Sequence, residues 1–330
     1  VSLQCWIKTG SLHENESERG LAHVLEHMVF KGTDTIGPGE MAASIEGFGG
    51  DINAYTTFER TVYFANFVSN HLDSALHMFS DSILFPAFEQ SEFDREKEVI
   101  LEEIKLGLDS PVSKIGYRLF NMCYGDNEIG RPIIGSKESV QAFTREDLQS
   151  FHRKWYVPNN MTIVVAGDFD ARELYSKIEK IFGNCEKATL PAFPLIAQNF
   201  IKGQGVEVSL LKEDHQNLRL EVVLPCPALE SYDSPMLDLA AFALGSGDSS
   251  RLVSRLKHDE KIVTSISSSA FTPSFRGLFT VSAIAPEESF LKAVENIGKE
   301  LRKLVTIEPV TQVEIDRSRA VLKADRIYRD

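Results

Sequence analysis

The feature that most constrains the fold of this chain is an internal repeat. Residues 92–103 and residues 314–325 match at Glu, Asp, Arg and Val with a constant offset of 222. The predicted elements ahead of each segment also follow one order, namely strand, helix, two strands and helix. A chain of 330 residues is long enough for two such domains. We therefore predict an α+β fold of two homologous domains, each a mostly antiparallel sheet packed with helices.

The Pro-containing stretch after the first copy of the repeat marks the domain boundary. We predict a first domain over residues 1–188, a linker over 189–205 and a second domain over 206–330. The alternation of apolar and polar residues is already under way at Val1, and the second copy stops near its midpoint. We therefore expect the chain to be truncated at both ends.

Charge and cysteine content disfavour several functional classes. The 48 acidic residues outnumber the 35 Lys and Arg, and the net charge of −13 argues against nucleic acid or anionic lipid as a partner. No apolar run reaches the ~18 residues needed to span a bilayer. The four cysteines are widely spaced without a Cys-x-x-Cys pair, so we expect neither a disulfide framework nor a thiolate zinc site. We predict no nucleic acid partner, no membrane partner and a reducing compartment.

A metal-binding pattern, His23-Val-Leu-Glu26-His27, lies within a helix predicted over residues 21–30. Residues four apart share one face of a helix, so His23 and His27 can present two imidazoles to one metal ion, with Glu26 on nearly the same side. This arrangement is typical of a zinc site with a neighbouring base. The alternative is a pair of histidines that are satisfied by hydrogen bonds on a half-buried helix.

A catalytic zinc needs a third protein ligand, and the predicted helix 92–108 carries five glutamates. Glu96 and Glu103 are seven residues apart, on the predicted face that also carries Val99 and Ile100. Carboxylates on an apolar face need a partner, so we predict Glu103 as the ligand and Glu96 as the group that orients a histidine. We expect the neighbouring charges to form a solvated stripe of i,i+4 pairs, with members Glu98, Glu102, Arg95 and Lys105. The alternative is that the whole predicted helix 92–108 is a charged surface helix without a metal ligand.

Further segments of the chain match one known family. They are residues 28–33 (MVFKGT), 53–56 (NAYT), 156–161 (YVPNNM) and 245–252 (GSGDSSRL). Together with the inverted motif of His23 to His27, they resemble the pitrilysin, insulysin and mitochondrial-processing-peptidase family of zinc endopeptidases, the inverzincins. The chain is most similar to the processing-peptidase β-subunit and its bacterial relatives, over nearly its whole length.

The resemblance implies a cofactor and the residues that serve it. The cofactor is Zn²⁺, which the family uses with water to hydrolyse peptide bonds. The matching positions are His23, His27 and Glu103 as zinc ligands, Glu26 as the catalytic base, and Glu96 as a supporting carboxylate.

The same resemblance implies where substrates bind. The family binds extended substrates along an edge strand, which corresponds to Asn53, Ala54, Tyr55 and Thr56. Its two domains enclose a chamber, and its second half contributes an arginine and a tyrosine near the scissile bond. Arg276 is our candidate for the arginine, and we place no tyrosine. As an alternative, residues 53–56 form an ordinary strand.

The second domain lacks the residues for another zinc site. Residues 236–244 contain no histidine, and Ser318 and Asp325 stand where the first domain has Glu96 and Glu103. The Gly-containing segment 245–250 lacks the Lys-Ser/Thr of a phosphate-binding loop, so we interpret it as a helix-capping turn.

The sequence therefore predicts a zinc metalloendopeptidase of extended peptides or unfolded segments such as presequences, with a preference for basic ones. One alternative is a non-catalytic structural subunit like the core proteins of a respiratory complex, and another is a metal-dependent hydrolase of a different substrate. We expect a peptide or unfolded protein as the partner, and a homodimer or a heterodimer with a related subunit as the assembly. The expected compartment is the bacterial cytoplasm, with the mitochondrial matrix as the alternative.

Overall fold

The computed structural model describes residues 1–192, 208–209 and 217–329, with side chains as far as residue 324 in the last helix. The chain divides into two compact units, Val1–Leu195 (unit 1) and Ile196–Asp330 (unit 2), each with its own sheet and apolar core. Of the predicted linker, only residues 189–192 are described. No helix among the described residues is long and apolar enough to cross a bilayer.

Unit 1 contains four strands and eight α-helices among its described residues. The strands are β1 (Ser2–Ile7), β2 (Asp51–Thr56), β3 (Thr61–Asn66) and β4 (Met161–Ala166). The helices are α1 (Leu21–Met28), α2 (Glu40–Gly47), α3 (Leu72–Leu84), α4 (Gln90–Asp109), α5 (Pro111–Tyr124), α6 (Lys137–Ala142), α7 (Arg145–Trp155) and α8 (Ala171–Phe182). A 3-10 turn over Val29–Lys31 extends α1.

The four strands of unit 1 form an antiparallel sheet in the order β2-β3-β1-β4. β1 is central, and its alternate residues Leu3, Cys5 and Ile7 are fully buried beneath the helices. β2 lies at the edge, joined to β3 by a tight hairpin in which Thr56 stands opposite Thr61. Since no described strand pairs with the other side of β2, its backbone is open to an added strand.

The helices that carry the metal-binding motifs pack in the core of unit 1. Val24, Leu25 and Met28 of α1 are fully buried, and α4 packs on α1 while it buries Phe93 and Ile100. Burying each of these side chains stabilises the fold by roughly 1.5–3 kcal/mol. The apolar sides of α1 and α4 thus fix the helices, and their polar sides meet.

Unit 2 repeats the strand order of unit 1. Its strands are β5 (Asn217–Cys226), β6 (Ser265–Phe271) and β7 (Gly277–Pro286), and its α-helices are α9 (Ser234–Gly245), α10 (Phe290–Thr306) and α11 (Gln312–Arg329). A π-helical segment covers Val253–Asp259. The antiparallel order β6-β7-β5 corresponds to β2-β3-β1, and α11 packs on α9 as α4 packs on α1. The predicted α+β fold of two homologous units is confirmed.

Candidate metal centre

The helix α1 is held at its start by a buried carboxylate from the preceding loop. The two oxygens of Glu14 accept hydrogen bonds from the backbone N–H groups of Gly20, at 2.9 Å, and of Ala22, at 2.8 Å. Burial raises the pKa of Glu14 to about 8. Gly20 has a φ of 95°, and a Cβ atom there would lie 2.7 Å from the carbonyl oxygen of Ile134. These contacts fix the first turn of α1, which precedes His23.

Three side chains converge where α1 meets α4. Glu103 Oε2 lies 3.9 Å from His23 Nε2 and 3.7 Å from His27 Nε2. One potential ligand atom from each of the three residues lies within 4.8 Å of the others. A tetrahedral zinc with bonds of about 2.0–2.1 Å separates its ligands by roughly 3.4 Å. The two imidazoles and one carboxylate therefore fit a zinc ion with small adjustments.

The protonation state of His23 suits metal binding. Burial, together with a smaller effect of the neighbouring His27, lowers the pKa of His23 to about 4. A neutral imidazole keeps a lone pair for a metal ion, whereas a charged one does not. His23 Nδ1 is buried and makes no hydrogen bond with the described residues.

The buried carboxylate of Glu96 holds the second histidine and pairs with a lysine, and both of these partners are partly exposed. Glu96 Oε1 lies 2.8 Å from His27 Nδ1, and Glu96 Oε2 lies 2.6 Å from Lys31 Nζ. Burial on its own would raise the pKa of Glu96, but the hydrogen bonds from His27 and Lys31 outweigh it and hold the pKa below its usual value. Since Nδ1 of His27 is engaged by this carboxylate, Nε2 is the nitrogen left for a metal ion.

The candidate base sits beside the cluster without belonging to it. Glu26 Oε2 accepts a hydrogen bond of 2.6 Å from the hydroxyl of Thr56, the last residue of β2. Burial raises the pKa of Glu26, and the hydrogen bond from Thr56 opposes that rise. A carboxylate in this environment exchanges a proton more readily near neutral pH than an exposed one does.

The structure corrects two expectations about α4. Val99 does not share the inward face with Ile100, because its side chain is 48% exposed while Ile100 is fully buried. Neighbouring residues on a helix are about 100° apart, so Ile100 takes the core position and turns Val99 outward. The charged residues pair at i,i+3 spacing rather than i,i+4, as in Arg95 with Glu92 and Lys105 with Glu102. Glu103 lies at the margin of the buried face, with its side chain half exposed.

The predicted substrate-binding residues lie in two places. Asn53 to Thr56 form most of β2, where Asn53 and Tyr55 are exposed and Asn53 Oδ1 accepts a 2.8 Å hydrogen bond from the N–H of Ala54. Arg276 is an exposed residue of unit 2, in the loop between β6 and β7. Unit 1 by itself therefore contains the metal cluster, the base and the edge strand.

A cavity of about 490 Å³ opens beside the first residues of β2. Phe30 and Ile52 supply apolar walls. The polar lining carries both signs of charge, from Lys31, Arg95, Glu46 and Glu92, together with Asn53. A cavity of this size holds a large side chain, since ligand pockets of several hundred cubic ångströms are typical. It lies a few residues along β2 from Thr56, the residue that contacts the base.

Sequence reasoning missed two residues of this site, Lys31 and Glu14, and the contact between Thr56 and Glu26. Lys31 follows His27 by four positions, and this helical spacing is the signal that could have identified it. Glu14 left no signal, because its partners are backbone groups six and eight residues later in the chain. The contact of Thr56 with Glu26 spans 30 residues and depends on the tertiary fold.

Known families match both units of the chain. Residues 1–137 match the family described as "Insulinase (Peptidase family M16)", and residues 142–322 match "Peptidase M16 inactive domain". An uncharacterized zinc protease of Rickettsia felis is 30% identical over 331 residues, which cover 98% of this chain and 77% of the relative. The zinc protease PqqE of Helicobacter pylori is 30% identical over 333 residues, which cover 99% of this chain and 74% of the relative.

Solved structures share the architecture. A protease from Helicobacter pylori superposes with a TM-score of 0.90 at 28% identity, covering 99% of this chain and 80% of that one. A Pseudomonas fluorescens structure described as a peptidase M16 inactive domain has a TM-score of 0.86 at 20% identity, covering 98% of this chain and 77% of that one. The second comparison supports the fold alone.

Proposed function

Since the chain belongs to the M16 (insulinase) family of peptidases, we propose that it is a zinc-dependent endopeptidase of extended peptides and unfolded segments. The observation that carries the proposal is the convergence of His23, His27 and Glu103 within 4.8 Å. It is supported by Glu26, which Thr56 holds beside the cluster.

Each polar residue of the site has a chemical role in this proposal. His23, His27 and Glu103 would hold the metal, with Glu96 fixing the ring of His27. Bound zinc supplies Lewis acidity, which polarises a peptide carbonyl and makes water more acidic. Glu26 takes the proton from the attacking water and returns it to the leaving amine, which is the task of a general base that then acts as an acid.

The edge strand supports an extended substrate. The open side of β2 offers backbone N–H and C=O groups to an added strand, and backbone pairing does not depend on substrate sequence. The cavity at the start of β2 would accept one side chain of the bound peptide, with Lys31 and Arg95 at its polar wall. The net charge of −13 favours basic peptides over acidic ones at longer range.

A first experiment measures zinc and peptide cleavage in one preparation. We expect about one zinc per chain by elemental analysis. We also expect cleavage of a mixed peptide library that stops with a chelator and returns when zinc is added. Absence of both zinc and chelator-sensitive cleavage would favour the non-catalytic subunit. Zinc binding with cleavage of another bond type would favour the other metal-dependent hydrolase.

Assembly and compartment form a separate part of the proposal. We propose a homodimer or a heterodimer with a related subunit, and light scattering of the purified protein distinguishes either from a monomer. The Rickettsia and Helicobacter relatives support the bacterial cytoplasm over the mitochondrial matrix. Fractionation of cells that express the protein tests this placement.

A further inference from the structure

The hairpin that contains β2 determines which backbone groups face its open edge. The N–H of Thr57 donates a 2.8 Å hydrogen bond to the carbonyl of Arg60, so these two residues form a hydrogen-bonded pair. Hydrogen-bonded and non-hydrogen-bonded pairs alternate along antiparallel strands, and Thr56 is therefore a non-hydrogen-bonded position opposite Thr61. The N–H and C=O groups of Thr56 therefore point away from β3. The N–H hydrogen bonds to Glu26, and the C=O group faces the open edge. The N–H and C=O groups of Ala54 also point away from β3, and Asn53 Oδ1 already occupies the N–H of Ala54.

The side chain of Thr56 has a separate contact. Its hydroxyl lies 2.6 Å from Glu26 Oε2 and 3.3 Å from the hydroxyl of Thr61. A carboxylate only accepts, so the single proton of the Thr56 hydroxyl goes to Glu26. Thr61 donates its own proton to the carbonyl of Thr9, at 3.1 Å. Thr56 thus faces the open edge with its C=O group and contacts the base with its hydroxyl and its N–H.

We infer that Thr56 is a positioning residue that makes the orientation of Glu26 depend on whether a substrate strand is paired with β2. The inference rests on the proposed function, because it assigns roles to the same base and the same edge strand. It adds a regulatory property to that site. A peptide that pairs fully with β2 orients the base that will act on it.

The physical link is the stiffness of a threonine side chain. A β-branched residue has few accessible χ1 rotamers, so the direction of its hydroxyl follows its backbone conformation. Pairing of a substrate N–H with the C=O of Thr56 fixes that backbone, whereas the end of an unpaired edge strand retains more freedom. Pairing at Thr56 therefore raises kcat through the orientation of Glu26. A peptide that binds without this pairing turns over slowly.

The variant arm of the test removes the hydroxyl while keeping the shape of the side chain. Thr56→Val should retain one zinc per chain and a KM near that of the wild type. Its kcat should fall about tenfold or more, because a misoriented general base loses part of its contribution to the rate. Thr56→Ser keeps the hydroxyl and should recover most of kcat. Thr61→Val is the matched control, since it removes the adjacent hydroxyl without touching Glu26. Its kcat per folded molecule should stay within about twofold of the wild type.

The substrate arm uses one cleavable peptide and a series of analogues that carry a single N-methyl group at successive backbone amides. N-methylation removes one strand hydrogen bond and leaves the side chains unchanged. In the wild type, one analogue should lower kcat about tenfold, whereas the same analogue should change kcat less than about twofold in Thr56→Val. Such non-additivity is not expected of a residue that only stabilises the fold.

The outcomes separate this inference from the proposed function. Failure of the wild type to bind zinc or to cleave the parent peptide would remove the proposed function itself. An active wild type whose kcat is unchanged by Thr56→Val would overturn the role of Thr56. Equal losses in Thr56→Val and Thr61→Val, or N-methyl effects that are the same in wild type and Thr56→Val, would also overturn it.

Discussion

His27 Nδ1 and Glu96 Oε1 lie 2.8 Å apart, although 69 residues separate them in the chain. The pair links α1 to α4. Lys31, in the turn after α1, contacts the other oxygen of Glu96 at 2.6 Å. A carboxylate bound to one ring nitrogen fixes the tautomer and orientation of an imidazole. The contact therefore orients the ring of His27 so that its Nε2 faces Glu103.

This relationship predicts the effect of removing the charge of Glu96. Glu96→Gln should weaken zinc binding about 10–100-fold, since loss of a partner behind a metal-binding histidine typically costs that much. Competition with a coloured chelator measures the affinity. Glu98→Gln, an exposed position on the same helix, is the matched control and should leave the affinity unchanged.

The base and the ligands can be distinguished by one substitution. Glu26→Gln should retain zinc, because Glu26 is not one of the three converging residues, but should lose about 10²–10⁴ in kcat. Elemental analysis and peptide cleavage on the same sample check both parts. Loss of zinc from this variant would mean that Glu26 is a ligand.

Two neighbouring carboxylates on α4 offer a paired test of the third ligand. Glu103→Ala should weaken zinc binding by more than about 100-fold, because it removes one of three protein ligands. Glu102→Ala removes an exposed carboxylate that pairs with Lys105, and its zinc affinity should match that of the wild type. Equal affinities in the two variants would contradict the assignment of Glu103.

Pairing with β2 requires an extended chain, which predicts selectivity for unfolded substrates. A stable folded domain should be cleaved at least about 100-fold more slowly than its unfolded, reduced form, because opening a folded segment costs several kcal/mol. Mass spectrometry of timed digests of both forms gives the two rates. Comparable rates would show that extended binding does not limit cleavage.

A buried histidine away from the metal cluster predicts a pH effect on stability. Burial lowers the pKa of His152 to about 4, and its Nε2 lies 2.9 Å from the carbonyl of Ile83. The unfolded chain takes up the proton near pH 6.5 and the folded chain only near pH 4, so the stabilisation by His152 fades as pH falls through that window. The stability advantage of the wild type over His152→Gln should shrink by on the order of 1–2 kcal/mol between pH 7 and pH 5.

Urea unfolding at the two pH values, in the presence of a chelator, measures the effect at His152. His77→Gln, at an exposed position of α3, controls for the substitution itself. A difference in unfolding free energy between the wild type and His152→Gln that does not change with pH would contradict the lowered pKa of His152.

The elements of this fold were largely predictable because their boundaries carry local signals. The helix α8, for example, begins after Asp170, which caps its first turn, and ends before Gly183. The position of Val99 was predicted wrongly, because sequence spacing gives the relative phase of two residues but not the direction of the core.

The metal-binding residues were predicted to meet, and their potential ligand atoms do converge. Two contacts could not be predicted from the sequence, namely that of Thr56 with Glu26 and that of Glu14 with Ala22. Neither contact follows from periodicity, since each depends on how a loop or strand folds back onto α1. Assignment of the metal itself stays a prediction for the zinc measurement.

The shared strand order of the two units has an evolutionary consequence. Unit 2 keeps the order β6-β7-β5 and the packing of α11 on α9, although buried Ser318 stands where unit 1 has Glu96. The scaffold therefore forms without the metal-binding residues. After a gene duplication, either copy could lose or acquire chemistry through a few substitutions while its folding remained intact. Active and inactive paralogues can then diverge from one ancestor without passing through an unfolded intermediate sequence.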